Sequence, residues 1–248
     1  MSAPLYPVVI LAGGMATRLG HITRATPKAL IDVNGEPFVF HQLRLLKERG
    51  IDQVILCVGY LGEQIVERVG NGRGFGLVVQ YSFDGPRLLG TGGAIKKALA
   101  KLDAPAFFLL YGDSYLECDY AAVQAAFEAS GKMALMTVFR NERQWDASNV
   151  EFADGRILAY DKKKPTDRMC YIDYGLGVFR QEAFAAAPAD EPFDLATLQQ
   201  DLLRADQLAG YEMCQRFYEI GSPAGLEETR QYLAKSENRA TDGTRIKH

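Results

Sequence analysis

The apolar run Pro7-Val8-Val9-Ile10 leads within a few residues into two adjacent glycines, Gly13 and Gly14, and this constrains the chain more than any other feature. A short apolar run without alternation belongs to a strand buried on both faces of a parallel sheet. A strand that ends in glycines brings backbone N–H groups close to whatever binds there, because no Cβ blocks the approach. The expected cradle is Leu11, Ala12, Gly13 and Gly14. The stretch Leu11 to Leu30 then adds an isolated Arg18 and a Pro27-Lys28 pair. Two cations beside a glycine cradle suit a polyphosphate, so the stretch implies a nucleoside triphosphate site.

Two common phosphate loops are excluded by spacing. The chain has no Gly-x-x-x-x-Gly-Lys-Ser/Thr loop, and Gly14, Ala16 and Leu19 break the spacing of a dinucleotide fingerprint. That failure argues against an oxidoreductase. A net charge of −3 gives no reason to expect a nucleic acid or an anionic membrane as partner. No apolar run approaches the ~18 residues needed to span a bilayer, and no basic leader precedes the first strand, so a cytoplasmic location is expected. The four cysteines (Cys57, Cys118, Cys170, Cys214) are scattered without a CxxC, which points to reduced thiols.

The rest of the pattern alternates strand and helix. Strands are expected at 8–12, 54–58, 77–81, 107–110 and 135–138, with helices near 37–49, 62–69, 91–101 and 120–129. Such alternation predicts a doubly wound, mostly parallel sheet with helices on both faces. Ligands then bind beyond the carboxyl ends of the strands, where Gly13 and Gly14 lie. After about residue 139 the rhythm changes. Val150–Phe152 and Ile157–Tyr160 flank the turn Asp154-Gly155, a hairpin signal, and a long β-rich run follows at Tyr171–Phe179. Residues 236–248 lack apolar periodicity and read as a flexible tail.

Three constellations converge on the same crevice. In Leu89-Gly90-Thr91-Gly92-Gly93-Ala94, glycines precede a helix, so a base or phosphate can come against the backbone. In Leu109-Leu110-Tyr111-Gly112-Asp113, a buried strand ends in one acid at the sheet's carboxyl edge. A hard cation such as Mg²⁺ takes one or two carboxylates plus phosphate oxygens, and Asp113 fits that part. In Phe217-Tyr218-Glu219-Ile220-Gly221-Ser222-Pro223, an acid precedes a helix that Ser222 and Pro223 open.

Gly13-Gly14-Met15-Ala16-Thr17-Arg18-Leu19 and Pro27-Lys28-Ala29-Leu30 together resemble the signature of the sugar-1-phosphate nucleotidyltransferases, G-G-x-G-T-R-L followed by P-K-x-L. Ala16 stands where that family has a third glycine, which makes a left-handed turn there less accessible. The Leu89 segment is similar to the family's L-G-T-A/G-G/A, which implies Gly90, Thr91 and Gly92 as further nucleotide-binding residues. Gly112-Asp113 matches the family's Gly-Asp, its principal metal ligand. Glu219 replaces the aspartate of W-x-D-I-G-T-P, the second ligand, keeping the charge but moving it one methylene outward.

The resemblance runs from about residue 7 to 235, with the four motifs in the family's order. It implies a Rossmann-like α/β fold in a single domain over 1–235, with a nucleotide half at about 1–138. A small β-rich sugar-binding subregion makes up the other half, at about 139–235. It further implies Mg²⁺ as cofactor, and a nucleoside triphosphate and a sugar 1-phosphate as substrates, with pyrophosphate released. Arg18 would meet the pyrophosphate and Lys28 the α-phosphate. Lys162 or Lys163 would hold the sugar phosphate, two alternatives that differ by a one-residue alignment shift. Asn149, Asp173 and Gly175 stand where the family lines its sugar pocket, with Asp173 replacing an asparagine and expected to accept sugar hydroxyls. In texture the chain looks nearest to the heptose and mannose 1-phosphate guanylyltransferases, which favours GTP. A uridylyltransferase acting on an amino-sugar or hexose 1-phosphate, a non-catalytic nucleotide-sugar sensor, and a homodimeric assembly all stay open.

Overall fold

The structure, a computed structural model, describes residues 4–14, 26–188 and 191–244, with side chains as far as residue 235. The strands are β1 (Val8–Leu11), β2 (Asp32–Val33), β3 (Glu36–Pro37), β4 (Gln53–Val58), β5 (Val78–Phe83), β6 (Ala106–Tyr111) and β7 (Ser114–Tyr115). They continue as β8 (Ala134–Arg140), β9 (Val150–Ala153), β10 (Arg156–Tyr160), β11 (Tyr171–Arg180), β12 (Leu208–Met213) and β13 (Tyr218–Glu219). The helices are α1 (Phe38–Glu48), α2 (Gly62–Val69), α3 (Gly90–Ala98), α4 (Tyr120–Ser130), α5 (Leu195–Arg204) and α6 (Pro223–Thr244).

The central strands β6, β1, β4 and β5 lie side by side and parallel. Their residues alternate between two cores. Val8, Ile10, Val54, Leu56, Phe108 and Leu110 face the core that Leu43 and Leu46 of α1, Ile65 of α2 and Val123 and Phe127 of α4 cover. Val9, Ile55, Cys57, Phe107 and Leu109 face the opposite core, with Ile95 of α3 and Leu195 and Leu202 of α5. Both faces of β1, β4 and β6 are therefore apolar, which is why no polar alternation shows in them, whereas the edge strand β5 leaves Val78, Gln80 and Phe83 exposed. This is the doubly wound Rossmann-like α/β arrangement that the pattern predicts.

Local chemistry sets the helix ends. The Asp119 carboxylate accepts from the Ala122 amide at 3.0 Å to start α4, and Gly131 at φ +64° stops it. In α1, Pro37 takes the N-cap position, and Gly50 at φ +86° follows the end. The helix expected over 91–101 divides into α3 and a 3-10 turn at Leu99–Lys101. The final helix α6 runs on to Thr244, into the stretch 236–248 that was expected as a flexible tail.

The long strand β11 joins the two halves. It pairs antiparallel with β6 through Leu176–Arg180 and with β8 through Tyr171–Asp173 and Gly177–Phe179. The predicted hairpin forms as β9 and β10, with Asp154 and Gly155 both at positive φ. Helix α5 and strand β12, which pairs parallel with β8, were not anticipated from the pattern. Only Leu208 and Met213 of β12 are buried, too few for a periodic signal.

Gly112 locks the ends of β1 and β6 together. Its amide donates to the Leu11 carbonyl at 3.2 Å, and a Cβ there would lie 2.3 Å from the same oxygen. The next nearest atoms, Leu11 C at 2.9 Å and Ala12 Cα at 3.1 Å, are backbone too and cannot rotate away. Gly112→Ala should therefore destabilise the protein by about 1–3 kcal/mol, the usual cost of overpacking. Urea unfolding checks this as a lower midpoint at an unchanged slope.

Candidate active site

The carboxyl ends of β1, β4 and β6 open onto a cleft of about 260 Å³. Leu11, Ala12, Gly13, Gly14, Gly90 and Thr91 line it, as expected for the nucleotide side, together with Lys28 and Asp113. Arg18 lies outside the described residues, as do the rest of 15–25. Gly13 and Gly14 differ in what requires glycine. A Cβ on Gly13 would sit 2.9 Å from the Gly59 amide nitrogen, whereas one on Gly14 would meet nothing within 4 Å. Gly13 is needed for packing of the turn after β4, and Gly14 alone leaves open approach to the backbone.

Gly92 is absent from the cleft lining. A Cβ there would run into the Phe193 ring at 2.2 Å, so this glycine lets α3 pack under the segment before α5. Thr91 contributes mainly backbone, since its hydroxyl donates to Asp194 at 3.0 Å and accepts from the Leu195 amide at 2.8 Å. No side chain caps the first turn of α3, whose start faces the cleft through Gly90 and Thr91.

Among the lining residues that were not singled out from the sequence are Asp84, Tyr111 and Cys57. Asp84 directly follows β5, at the same kind of strand end as Asp113, and that position was the available signal. It is 8% exposed, and among the described residues only the Leu89 amide, at 3.2 Å, hydrogen-bonds its carboxylate. Burial pushes its pKa up, partly offset by that hydrogen bond and by Lys97. Tyr111, the last residue of β6, lines this cleft and its neighbour. Cys57 is buried, and desolvation holds its thiol protonated.

The second cleft, about 380 Å³, lies on the β11 side and shares Tyr111 and Asp113 with the first. Asn149, Lys162, Asp173, Gly175 and Glu219 line it. Lys163 does not. Its backbone amide donates to Asp161 at 2.7 Å in an exposed turn after β10. The Lys162 amine, by contrast, donates to the Tyr111 hydroxyl at 2.9 Å and lies 3.3 Å from Asp173. Burial opposes its charge, but the Asp173 carboxylate and the Tyr160 phenol outweigh that and raise its pKa.

Where the clefts meet, the Lys28 ammonium donates to Asp113 at 2.6 Å, with side chains 18% and 37% exposed. The short antiparallel pair β7–β13 places Glu219 opposite Ser114, beside Asp113. The position of a Cβ on Gly221 measures the convergence: 2.6 Å from Glu219 Oε2, 3.0 Å from Lys28 Nζ and 3.4 Å from Asp113 Oδ2. The Glu219 carboxylate also accepts from the Gly221 amide and from the Ser222 hydroxyl at 2.6 Å, and that hydroxyl in turn caps α6 by accepting from the Gly225 amide at 3.0 Å. The longer arm of Glu219 fits there because residue 225 is glycine, where any Cβ would overlap Oε1. Asp113 and Glu219 are the two carboxylates here that could hold a divalent cation, and among the described residues no group of three or more metal-ligating side chains is found. Such an ion keeps positions for water and phosphate oxygens.

Among the described residues, no helix is long and apolar enough to cross a membrane. Residues 8–225 match the MobA-like NTP transferase domain. The chain is 30% identical over 232 residues to a D-glycero-alpha-D-manno-heptose 1-phosphate guanylyltransferase of Aneurinibacillus thermoaerophilus, covering 91% of this chain and 97% of that one. It is 26% identical over 229 residues to an N-acetylmuramate alpha-1-phosphate uridylyltransferase of Neisseria meningitidis, covering 90% and 96%. The crystal structure of HddC from Yersinia pseudotuberculosis complexed with GMP-PN superposes with a TM-score of 0.76 at 25% identity, over 92% of this chain and all of that one. With a glycine cradle, a lysine–carboxylate pair and a second carboxylate at the meeting point of two clefts, the chain belongs to the MobA-like NTP transferases, and among them to the sugar-1-phosphate nucleotidyltransferases.

Proposed function

We propose that this protein transfers guanylyl from GTP to a heptose or mannose 1-phosphate, releasing pyrophosphate and yielding an activated sugar for surface polysaccharide synthesis. The observation that carries the reading is the convergence of Lys28, Asp113 and Glu219 on Gly221, between the cleft lined by the glycine cradle and one rich in polar side chains. A sugar-phosphate oxygen attacks the α-phosphorus, and the bond to the β-bridging oxygen breaks. Both substrates are anions, so the chain must bring two negative charges together while charge grows on the leaving group. Lys28 holds the α-phosphate, Lys162 the sugar phosphate, and Arg18 the departing pyrophosphate through its planar fork. Asp113 and Glu219 would hold Mg²⁺, which supplies charge neutralisation for the phosphates when bound. The nearest thiol, Cys57, is buried and protonated, which favours direct in-line transfer over a covalent intermediate.

Guanine is favoured over uracil by the chemistry of Asp84. Guanine offers two adjacent donors, N1–H and the N2 amine, and a carboxylate accepts both. Uracil offers one N–H flanked by two carbonyls that repel a carboxylate. A buried carboxylate with a single amide donor has acceptor capacity to spare.

Three outcomes are expected. Asp113→Asn should abolish turnover with the melting temperature nearly unchanged, since its carboxylate is part-exposed and supports no core contact. Pyrophosphate release near the wild-type rate at limiting Mg²⁺ would remove Asp113 from the metal site. Asp84→Asn should lower kcat/KM for GTP by about tenfold or more while UTP changes little, the scale of one lost charge-assisted hydrogen bond. Crossing the four nucleoside triphosphates with mannose, heptose, glucose and amino-sugar 1-phosphates measures this directly, and preferred use of UTP by the wild-type protein would overturn the guanine reading. Arg18→Ala should depress kcat, because its partner's charge grows in the transition state, and Arg18→Lys should not restore it. An unchanged kcat with a raised nucleotide KM would make Arg18 a binding residue only.

A further inference from the structure

Asp173 was expected to accept sugar hydroxyls, but the protein already uses both of its oxygens. Oδ1 accepts from the Gly175 amide at 3.1 Å. Oδ2 accepts from the Tyr111 hydroxyl at 3.2 Å and the Tyr160 hydroxyl at 3.4 Å, and lies 3.3 Å from the Lys162 ammonium. The side chain is 4% exposed, whereas that of Lys162 is 38% exposed. The carboxylate is thus closed in while the ammonium keeps a face to the cleft.

We infer that Asp173 is a positioning residue, holding the Lys162 ammonium in place to receive the sugar phosphate. The inference rests on the proposed role of Lys162. An ammonium has three N–H donors. One goes to Tyr111 and a second toward Asp173, which leaves the third for an incoming oxygen. A free lysine loses rotamer entropy when it is ordered. A lysine ordered in advance by a buried partner avoids that cost on binding. The backbone is shaped for this partner. The register of β11 against β8 shifts between Asp173 and Gly177, and Gly175 sits at φ +97°, a turn that brings its own amide onto Asp173. The Asp173 amide in turn donates to the Asn149 side chain at 2.9 Å, tying a second lining residue to the same point. A buried carboxylate without cationic partners would be costly, so the pair is held from both sides.

Steady-state kinetics on Lys162→Met, Asp173→Asn and the double variant test this. Lys162→Met should raise the sugar-phosphate KM more than it lowers kcat, since the charge it meets is present in the ground state. Asp173→Asn keeps the shape and the hydroxyl partners, yet should raise the same KM by about tenfold, the scale of one charge-assisted contact. Nucleotide KM should stay at the wild-type value. The double variant should match Lys162→Met alone, because Asp173 acts through Lys162. Independent, multiplying effects, or a wild-type KM in Asp173→Asn, would overturn the inference while leaving Lys162 in its role. A wild-type KM in Lys162→Met would remove the role of Lys162 itself, and the inference with it. If Asp173→Asn does not fold, ¹⁵N-lysine NMR of the substrate-free wild-type protein decides. The Lys162 ammonium, assigned by its loss in Lys162→Met, should give a resolved signal distinct from the solvated lysines, and coincidence with them would overturn the inference.

Discussion

The parallel pairing of β1 with β6, which sets Leu11 opposite Tyr111, is the constraint on which the site depends. The two strands end together, and Gly112 closes them with a hydrogen bond back to Leu11. One strand then turns into the glycine cradle and the other into Asp113. Apolar burial on both faces holds this register, because a slip by one residue would exchange the side chains of the two cores. The location of the crevice thus follows from hydrophobic packing that never touches a ligand. Such packing is stiff, which suits a site that works by positioning charges.

Each described cation at the meeting of the clefts has a carboxylate beside it. Lys28 rests on Asp113, and Lys162 leans toward Asp173. The two pairs differ in burial, and that difference separates their work. Asp113 is part-exposed, so its ion pair is screened and contributes little to stability. Under the proposed function, substrate phosphate would take its place at low cost. Asp173 is enclosed, with hydroxyl and amide donors already on it, so its pair is a fixture of the protein. One arrangement suits exchange of partners and the other suits presentation of a charge.

Much of the first cleft's lining was legible because it follows strand endings. Gly13, Gly14 and Asp113 each come directly after an apolar run, and parallel sheets bind ligands at those ends. Asp84 obeys the same rule after β5 and was overlooked because the strand was expected to end at residue 81, two residues short of where it does. Gly92 misled for a physical reason: a glycine at a helix start serves equally to admit a ligand or a neighbouring ring, and here the ring of Phe193 occupies the space. The choice between Lys162 and Lys163 was beyond spacing arguments, since adjacent residues after a strand point in different directions. The irregular turn following β10 sends one lysine into the cleft and leaves the other outside it. Glu219 reads as an acid near a helix start, and its hold on Ser222, the residue that caps α6, became visible only with the Gly225 contact that makes room for it.

By itself the sequence determined the alternation of strands and helices, the burial of both sheet faces, and which strand ends carry glycine, acid or lysine. These are properties of short windows, in which periodicity and backbone freedom act over a few residues. Tertiary structure alone decided what meets across long separations. The β7–β13 pair carries Glu219 to Asp113, and the bend in β11 turns Asp173 onto Tyr111, Tyr160 and Lys162. Such contacts depend on how far each strand runs and how each loop closes, and no local propensity encodes that. The residues were legible one by one, and their partnerships belong to the fold.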